Sequence, residues 1–216
     1  MKRDDLREGA GQRSTREQLE RRLETLQAAL QRTTEQLSAL ALLAFTDLLT
    51  GLYNRRCFED RLAQELSRSL RTPGGRFGLL ALDVNGFKRV NDTLGHQAGD
   101  ALLRAVGEHL KGSLRTHDVV CRTGGDEFMA ILPDVGPVEC AVAQSRLVRG
   151  LSRVQAVGID QVGLAIGCSN FPLDGVRAET LIACADTRMY DHKRRLKRSP
   201  GLLVDVNPSS AQPEAT

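Results

Sequence analysis

The run Arg122-Thr123-Gly124-Gly125-Asp126-Glu127-Phe128 holds the densest chemistry in the chain. Two adjacent acids follow two glycines, between the apolar runs Val119-Val120-Cys121 and Phe128-Met129-Ala130-Ile131-Leu132. Apolar runs joined by Gly-Gly predict a β-hairpin. Turn glycines take positive φ at little cost and leave backbone N–H groups exposed. Amides beside carboxylates in a tight turn suit a phosphate that arrives with a metal ion. A further acid, Asp83, closes the apolar run that begins at Phe77. If that run and the hairpin are sheet neighbours, Asp83 and Asp126 converge, and paired carboxylates bind Mg²⁺ near a reacting phosphoryl group. Gly86-Phe87-Lys88 follows as the chain leaves its strand, where backbone amides can cradle phosphates. Taken singly, each residue has a plainer reading: a turn acid is solvated or caps a helix, Phe87 is core, and Lys88 is surface.

These groups need elements to hold them. Residues 55–70 read as a helix with Phe58, Leu62, Leu66 and Leu70 on one face. Thr72-Pro73-Gly74-Gly75 is a loop. Residues 77–83 read as a strand, 98–114 as a helix and 119–132 as the hairpin. Gly136-Pro137 opens a helix to about Leu151. A strand over 162–168, a helix over 178–195 and a last strand over 202–206 follow. Strands and helices in this order predict an α/β (α+β) sandwich, with a mainly antiparallel central sheet flanked by helices.

Upstream, Leu19, Leu23, Leu26, Leu30, Thr33, Leu37, Leu40 and Ala44 recur by fours and threes. That narrow stripe predicts a two-stranded coiled coil over 14–45, opened by a Ser14–Glu17 capping box. The alternative is a lone amphipathic helix folded onto its own domain. Residues 1–13 and 207–216 are polar, and disorder is expected at both ends.

The 216 residues suffice for one ordinary domain and an appendage. A net charge of +3 gives no argument for nucleic-acid or bilayer binding. No apolar run reaches membrane-spanning length, and the polar start lacks a signal-peptide core. The five cysteines show no Cys-x-x-Cys spacing, which predicts reduced thiols in a cytoplasmic protein. With four scattered histidines, a zinc site is not expected.

Gly124 to Phe128 spells GGDEF, and the chain resembles the diguanylate cyclase (GGDEF) family. Thr46-Asp47-Leu48-Leu49-Thr50-Gly51-Leu52-Tyr53-Asn54-Arg55-Arg56 is similar to the family's opening motif. Asp83-Val84-Asn85-Gly86-Phe87-Lys88-Arg89-Val90-Asn91-Asp92, then Gly95-His96 and Gly99-Asp100, resembles its central motif. Ala165-Ile166-Gly167, Ala185-Asp186, Met189-Tyr190 and Lys193 resemble its C-terminal blocks, so the likeness covers 46–206. The resemblance implies a nucleotide-cyclase-like fold and metal ligation by Asp83, the Val84 carbonyl and Asp126. It also implies a catalytic set of Asp126, Glu127 and Lys88, and Mg²⁺ as cofactor with Mn²⁺ as substitute. GTP would be held by Gly86, Phe87, Lys88, Lys193 and Lys197, with Asn91 and Asp100 on the guanine edge. A carboxylate there accepts from N1–H and the exocyclic amine, a pair adenine lacks.

The implied reaction condenses two GTP into cyclic di-GMP and two pyrophosphates across a homodimer, for cytoplasmic bacterial second-messenger signalling. Arg115 and Asp118, five residues or so before the hairpin turn, resemble the product-inhibition motif, with Arg146 as a secondary arginine. An upstream sensor or regulator protein is an expected partner. Three departures stand out: Asn85 replaces a usual Asp, Ala165 a frequent Ser, and Lys197 a usual Arg in a segment lacking Gly-Arg-Asn. Lys keeps the charge and loses the bidentate fork. Two other readings compete with the enzyme: a non-catalytic GTP or cyclic di-GMP binding module, and a dimerising scaffold that uses the coil alone.

Overall fold

The structure is a computed structural model that describes residues 21–37, 40, 44–151 and 162–198. The chain divides into two units, Met1–Ala44 and Phe45–Thr216. In the first, residues 21–37 form helix α1. Thr25, Thr33 and Thr34 donate their hydroxyls to carbonyls four residues back, within the helix itself. Leu23, Leu26, Leu30, Leu37 and Leu40 are all more than half exposed, Leu30 by 69%. The capping box at Ser14 and the seam position Leu19 lie outside the described residues, as do both termini and the 202–206 strand.

The second unit runs β1 (Tyr53–Asn54), α2 (Arg55–Arg71), β2 (Phe77–Asn85), α3 (Phe87–Leu94), α4 (His96–Ser113), β3 (Val119–Arg122), β4 (Glu127–Pro133), α5 (Pro137–Gly150), β5 (Gly163–Phe171) and α6 (Ala178–Arg198). The strands form one sheet in the order β1-β3-β4-β2-β5. Among the described residues, β1 and β3 pair in parallel, and β3–β4, β4–β2 and β2–β5 pair antiparallel. This agrees with the mainly antiparallel, helix-flanked sheet expected from the sequence.

Strand period decides which side chain meets which helix. Leu80, Leu82 and Val84 of β2 join Phe128, Ala130, Leu164 and Ile166 under Val90, Leu102, Val106 and Leu147 of α3, α4 and α5. Phe77, Leu79 and Ala81 point the other way, with Met129 and Ile131, against Phe58 and Leu62 of α2 and Leu181 and Ala185 of α6. Each such Val, Leu, Ile, Phe or Met side chain contributes about 1.5–3 kcal/mol by burial. β2 is covered on both faces, so it reads as an unbroken apolar run rather than an alternation. Asp83 shares the parity of Leu79 and Ala81, so it faces the α6 side.

Two elements differ from expectation. The stretch after β2 is helical at once, as α3, and Gly95 with φ 84° separates it from α4. The two-residue β1 is too short to leave a sequence signal. The thiol expectation is also corrected. Packing of α5 on β5 joins Cys140 to Cys168 in a disulfide, with an S–S distance of 2.10 Å; Cys57, Cys121 and Cys184 are free. The 28-residue separation hid that pair from any reading of local spacing. No helix among the described residues is long and apolar enough to cross a membrane.

Candidate functional site

The hairpin turn and the end of β2 meet. Asp83 pairs across the ladder with Glu127, and Val84 N–H donates to the Asp126 carbonyl at 3.1 Å. The turn closes with Thr123 N–H on the Glu127 carbonyl at 3.0 Å. Its glycines do not adopt the positive φ expected of them; the positive values fall at Gly51, Gly74, Gly86, Gly95 and Gly175. Gly86, at φ 87°, turns the chain from β2 into α3 and caps that helix. Gly124 supplies space instead, since a Cβ there would stand 2.7 Å from Glu127 Oε2.

Asp83 is 6% exposed. Lys193 of α6 donates to its Oδ2 at 2.7 Å and lies 2.7 Å from Oδ1, a buried oxygen with no hydrogen bond. Burial raises the Asp126 pKa above the ordinary value, and the charge of Asp83 adds to the rise. A charge-assisted tie on one acid and a destabilised charge on the other describe a centre that favours more positive charge. Among the described residues, no cluster of three or more His, Cys, Asp or Glu side chains could enclose a metal. Two carboxylates plus backbone oxygens fit a hard ion that keeps waters and substrate oxygens, as Mg²⁺ does.

Beside these acids opens a cavity of about 430 Å³. Gly86, Phe87 and Lys88 line it from the β2–α3 corner, Asp126 from the turn, and Lys193 and Lys197 from α6. The N-terminus of α3 thus faces the same space as three lysines, an arrangement that favours an anion. Val84, Asn85 and Arg89 complete one wall. Asn85 Nδ2 is buried without a hydrogen bond, and Arg89 adds a cation the sequence reading gave no role. Glu127 is exposed at the start of β4.

Asn91 and Asp100 do not line that cavity. Asn91 lies in α3, its Oδ1 buried and without a hydrogen bond, against Gly99 of α4, where a Cβ would run into it. Asp100 sits in the second turn of α4, not at its cap, because the helix starts at His96. The two therefore belong to the paired helices next to the cavity.

Arg115, Asp118 and Arg146 come together elsewhere, lining a cavity of about 140 Å³ with Glu139. Arg115 N–H donates to Asp118 Oδ2 at 2.7 Å, while Oδ1 is buried and accepts no hydrogen bond. The cavity thus offers two cations and an open acceptor.

One contact was invisible as a function in the sequence. Arg122 donates from Nη1 to both oxygens of Asp47 at 3.1 Å and from Nη2 to the Gly125 carbonyl at 2.8 Å. Burial pushes the Asp47 carboxyl up, but hydrogen bonds from Thr50 and Arg122 outweigh it and hold the pKa below the ordinary value. The two residues are 75 apart, so only the fold reveals the strut.

The sequence pattern described as diguanylate cyclase, GGDEF domain, matches residues 44–199. The chain belongs to the GGDEF diguanylate cyclase family. It is 36% identical over 177 residues to the bifunctional diguanylate cyclase/cyclic di-GMP phosphodiesterase MucR of Pseudomonas aeruginosa, covering 81% of this chain and 25% of that protein. To the diguanylate cyclase TpbB of the same organism it is 33% identical over 196 residues, 89% of this chain and 44% of TpbB. The chain thus spans less than half the length of these GGDEF relatives. Among solved structures, the coiled coil and GGDEF domain of DgcB from Caulobacter crescentus, in complex with c-di-GMP, superposes with a TM-score of 0.72 at 27% identity. That match covers 82% of this chain and 95% of the DgcB chain.

Proposed function

We propose that the chain is an active diguanylate cyclase that condenses two GTP into cyclic di-GMP and two pyrophosphates. The observation that carries the reading is a cavity lined by Asp126, Lys193 and the α3 N-terminus, with buried Asp83 tied to that same Lys193 and its charge acting on Asp126. Asp83, Asp126 and the Val84 carbonyl would hold Mg²⁺, or Mn²⁺, with Glu127 beside them. The ion, when bound, supplies a Lewis acid that polarises the phosphoryl oxygens and offsets their charge. The amides of Phe87 and Lys88 and the ammonium groups of Lys88, Lys193 and Lys197 hold the triphosphate. Asn91 and Asp100 read the guanine edge, and a carboxylate acceptor there disfavours adenine, which lacks the matching pair of donors.

Each domain holds one GTP, and two domains must face each other so that the 3′-hydroxyl of one nucleotide attacks the α-phosphate of the other. Pyrophosphate leaves, and a second such transfer closes the ring. Catalysis is positioning plus charge neutralisation. α1 pairs two chains as a coiled coil and supplies that facing arrangement. The Arg115, Asp118 and Arg146 cavity takes the product and inhibits. The reading puts the protein in the cytoplasm, with an upstream regulator acting through the N-terminal helix.

The test is incubation of purified chain with GTP and Mg²⁺, with cyclic di-GMP and pyrophosphate measured as products. Both are expected; their absence at high protein concentration defeats the reading. The second reading, a GTP or cyclic di-GMP binding module without turnover, is favoured by one observation: Lys197 lines the cavity where a fork-shaped guanidinium would grip phosphate better. Nucleotide binding without product would establish it.

A further inference from the structure

Among the described residues β5 is the terminal strand of the sheet, so no described strand pairs with its outward backbone groups. At Ile166 two helices satisfy them with side chains. Gln144 of α5 donates to the Ile166 carbonyl at 2.8 Å, and His192 Nδ1 of α6 stands 3.0 Å from Ile166 N as acceptor. Nδ1 is also 3.2 Å from the Ile166 carbonyl. This contact is the last of three along α6. Ser169 Oγ donates to the Leu181 carbonyl at 2.8 Å, Arg188 donates to the Cys168 carbonyl at 2.7 Å, and then His192 meets Ile166. α6 lies so close to β5 that a Cβ on Gly167 would strike the backbone of Ala185 and Met189.

The contacts close a ring around the acidic centre. Ile166 follows Ala165, which is the cross-strand partner of Asp83. Asp83 takes the Lys193 ammonium, and Lys193 follows His192. Successive side chains on a helix point about 100° apart, so fixing residue 192 sets the direction of residue 193. Lysine has a long, freely rotating stem and does not orient itself.

We propose that His192 is a positioning residue for Lys193: its hydrogen bond with the edge amide of Ile166 fixes the rotation of α6 at which the ammonium reaches Asp83 and the phosphate-facing cavity. Only the kinetic consequence rests on the proposed cyclase activity; the anchoring does not. The charged group acting on the imidazole is Arg195 of the same helix, while Ile166 of β5 meets it with uncharged backbone groups.

Two substitutions separate the hydrogen bond from packing. His192→Asn carries Oδ1 on Cγ where the imidazole carries Nδ1, so it keeps an acceptor. His192→Leu keeps branched bulk at Cγ and offers none. In the full chain, three quantities are read: hydrogen exchange at the Ile166 amide, the rate at which an amine-acylating reagent labels Lys193, and GTP turnover. His192→Leu is expected to lose Ile166 protection, label Lys193 roughly tenfold faster, and raise KM for GTP about tenfold with a smaller change in kcat. His192→Asn is expected to stay within about twofold of the unsubstituted chain on all three. Equal Lys193 labelling in the Leu variant and the unsubstituted chain overturns the proposal, as does equal impairment of Leu and Asn. If the Leu variant fails to fold, His192→Ala replaces it and is judged by the same labelling. If the unsubstituted chain makes no cyclic di-GMP, the cyclase reading falls, and Lys193 labelling alone decides on His192: faster labelling supports it and unchanged labelling overturns it.

Discussion

Burial and the neighbouring charge of Asp83 both disfavour the ionised form of Asp126, a penalty that a bound cation would relieve. The raised pKa of Asp126 means the folded chain prefers the protonated acid more than the unfolded chain does. That stabilisation is present at low pH and is lost as pH rises through the raised value. Removing the charge should therefore separate stability from function. Asp126→Asn is expected to melt at a higher temperature than the parent at neutral pH without metal, and to lose about 100-fold or more of product formation with Mg²⁺. A lower melting temperature, or retained turnover, contradicts the role assigned to Asp126. The other cavity makes an independent case. Asp118 Oδ1 is buried without a hydrogen bond, and Arg115 lines the same space. Arg115→Ala should raise the cyclic di-GMP concentration needed for half-inhibition by about tenfold or more, leaving the rate without product nearly unchanged. Unchanged inhibition removes that site from the mechanism.

At the level of elements, the glycines make the sharpest test. Positive φ belongs to Gly86 at the β2–α3 corner rather than to the hairpin pair. Gly86→Ala should cost about 1 kcal/mol in denaturant unfolding. Gly125→Ala should cost less than about 0.5 kcal/mol, since nothing lies within 4 Å of its added Cβ. The reverse order would mean the turn carries the strain. This is also where sequence reasoning ran short. β2, the hairpin, α2, α5 and α6 were legible because each has a long periodic stretch and a clear punctuation mark, such as Gly136-Pro137. α3 was missed because eight mostly polar residues carry too short a period. The Asp47–Arg122 strut, the Cys140–Cys168 pair and His192 were missed because each joins distant positions through tertiary packing. His192 also sets a pH dependence. Burial holds its pKa below the ordinary 6.5, and Arg195 adds repulsion. The folded state prefers neutral imidazole, so stability is full above about pH 6.5 and falls as pH drops through the depressed value. His192→Asn, which does not titrate, should show a shallower loss of melting temperature between neutral and mildly acid pH. Parallel curves for the two proteins contradict this.

At the scale of the whole molecule, the N-terminal unit exposes an apolar stripe. Leu23, Leu26, Leu30, Leu37 and Leu40 of the N-terminal unit are exposed along the stripe that heptad spacing predicts. A lone helix with that stripe in water is marginal, and burying it against a second copy is the favourable outcome. Under the proposed condensation the GGDEF unit needs the same partner for a separate reason, because that reaction joins two nucleotides and one domain would hold one. The two requirements predict a shared concentration dependence. Leu26→Glu with Leu30→Glu puts like charges into the seam and should abolish the dimer in sedimentation analysis without changing the melting of the catalytic unit. Specific activity of the parent should then be independent of protein concentration above the dimer dissociation constant. The charged variant should rise with concentration from a level about 100-fold lower, because it loses the effective concentration that tethering provides. A monomeric variant with full activity at low concentration would separate the helix from catalysis and leave the coil as an accessory. Coincident dissociation and activity curves would tie turnover to the leucine seam.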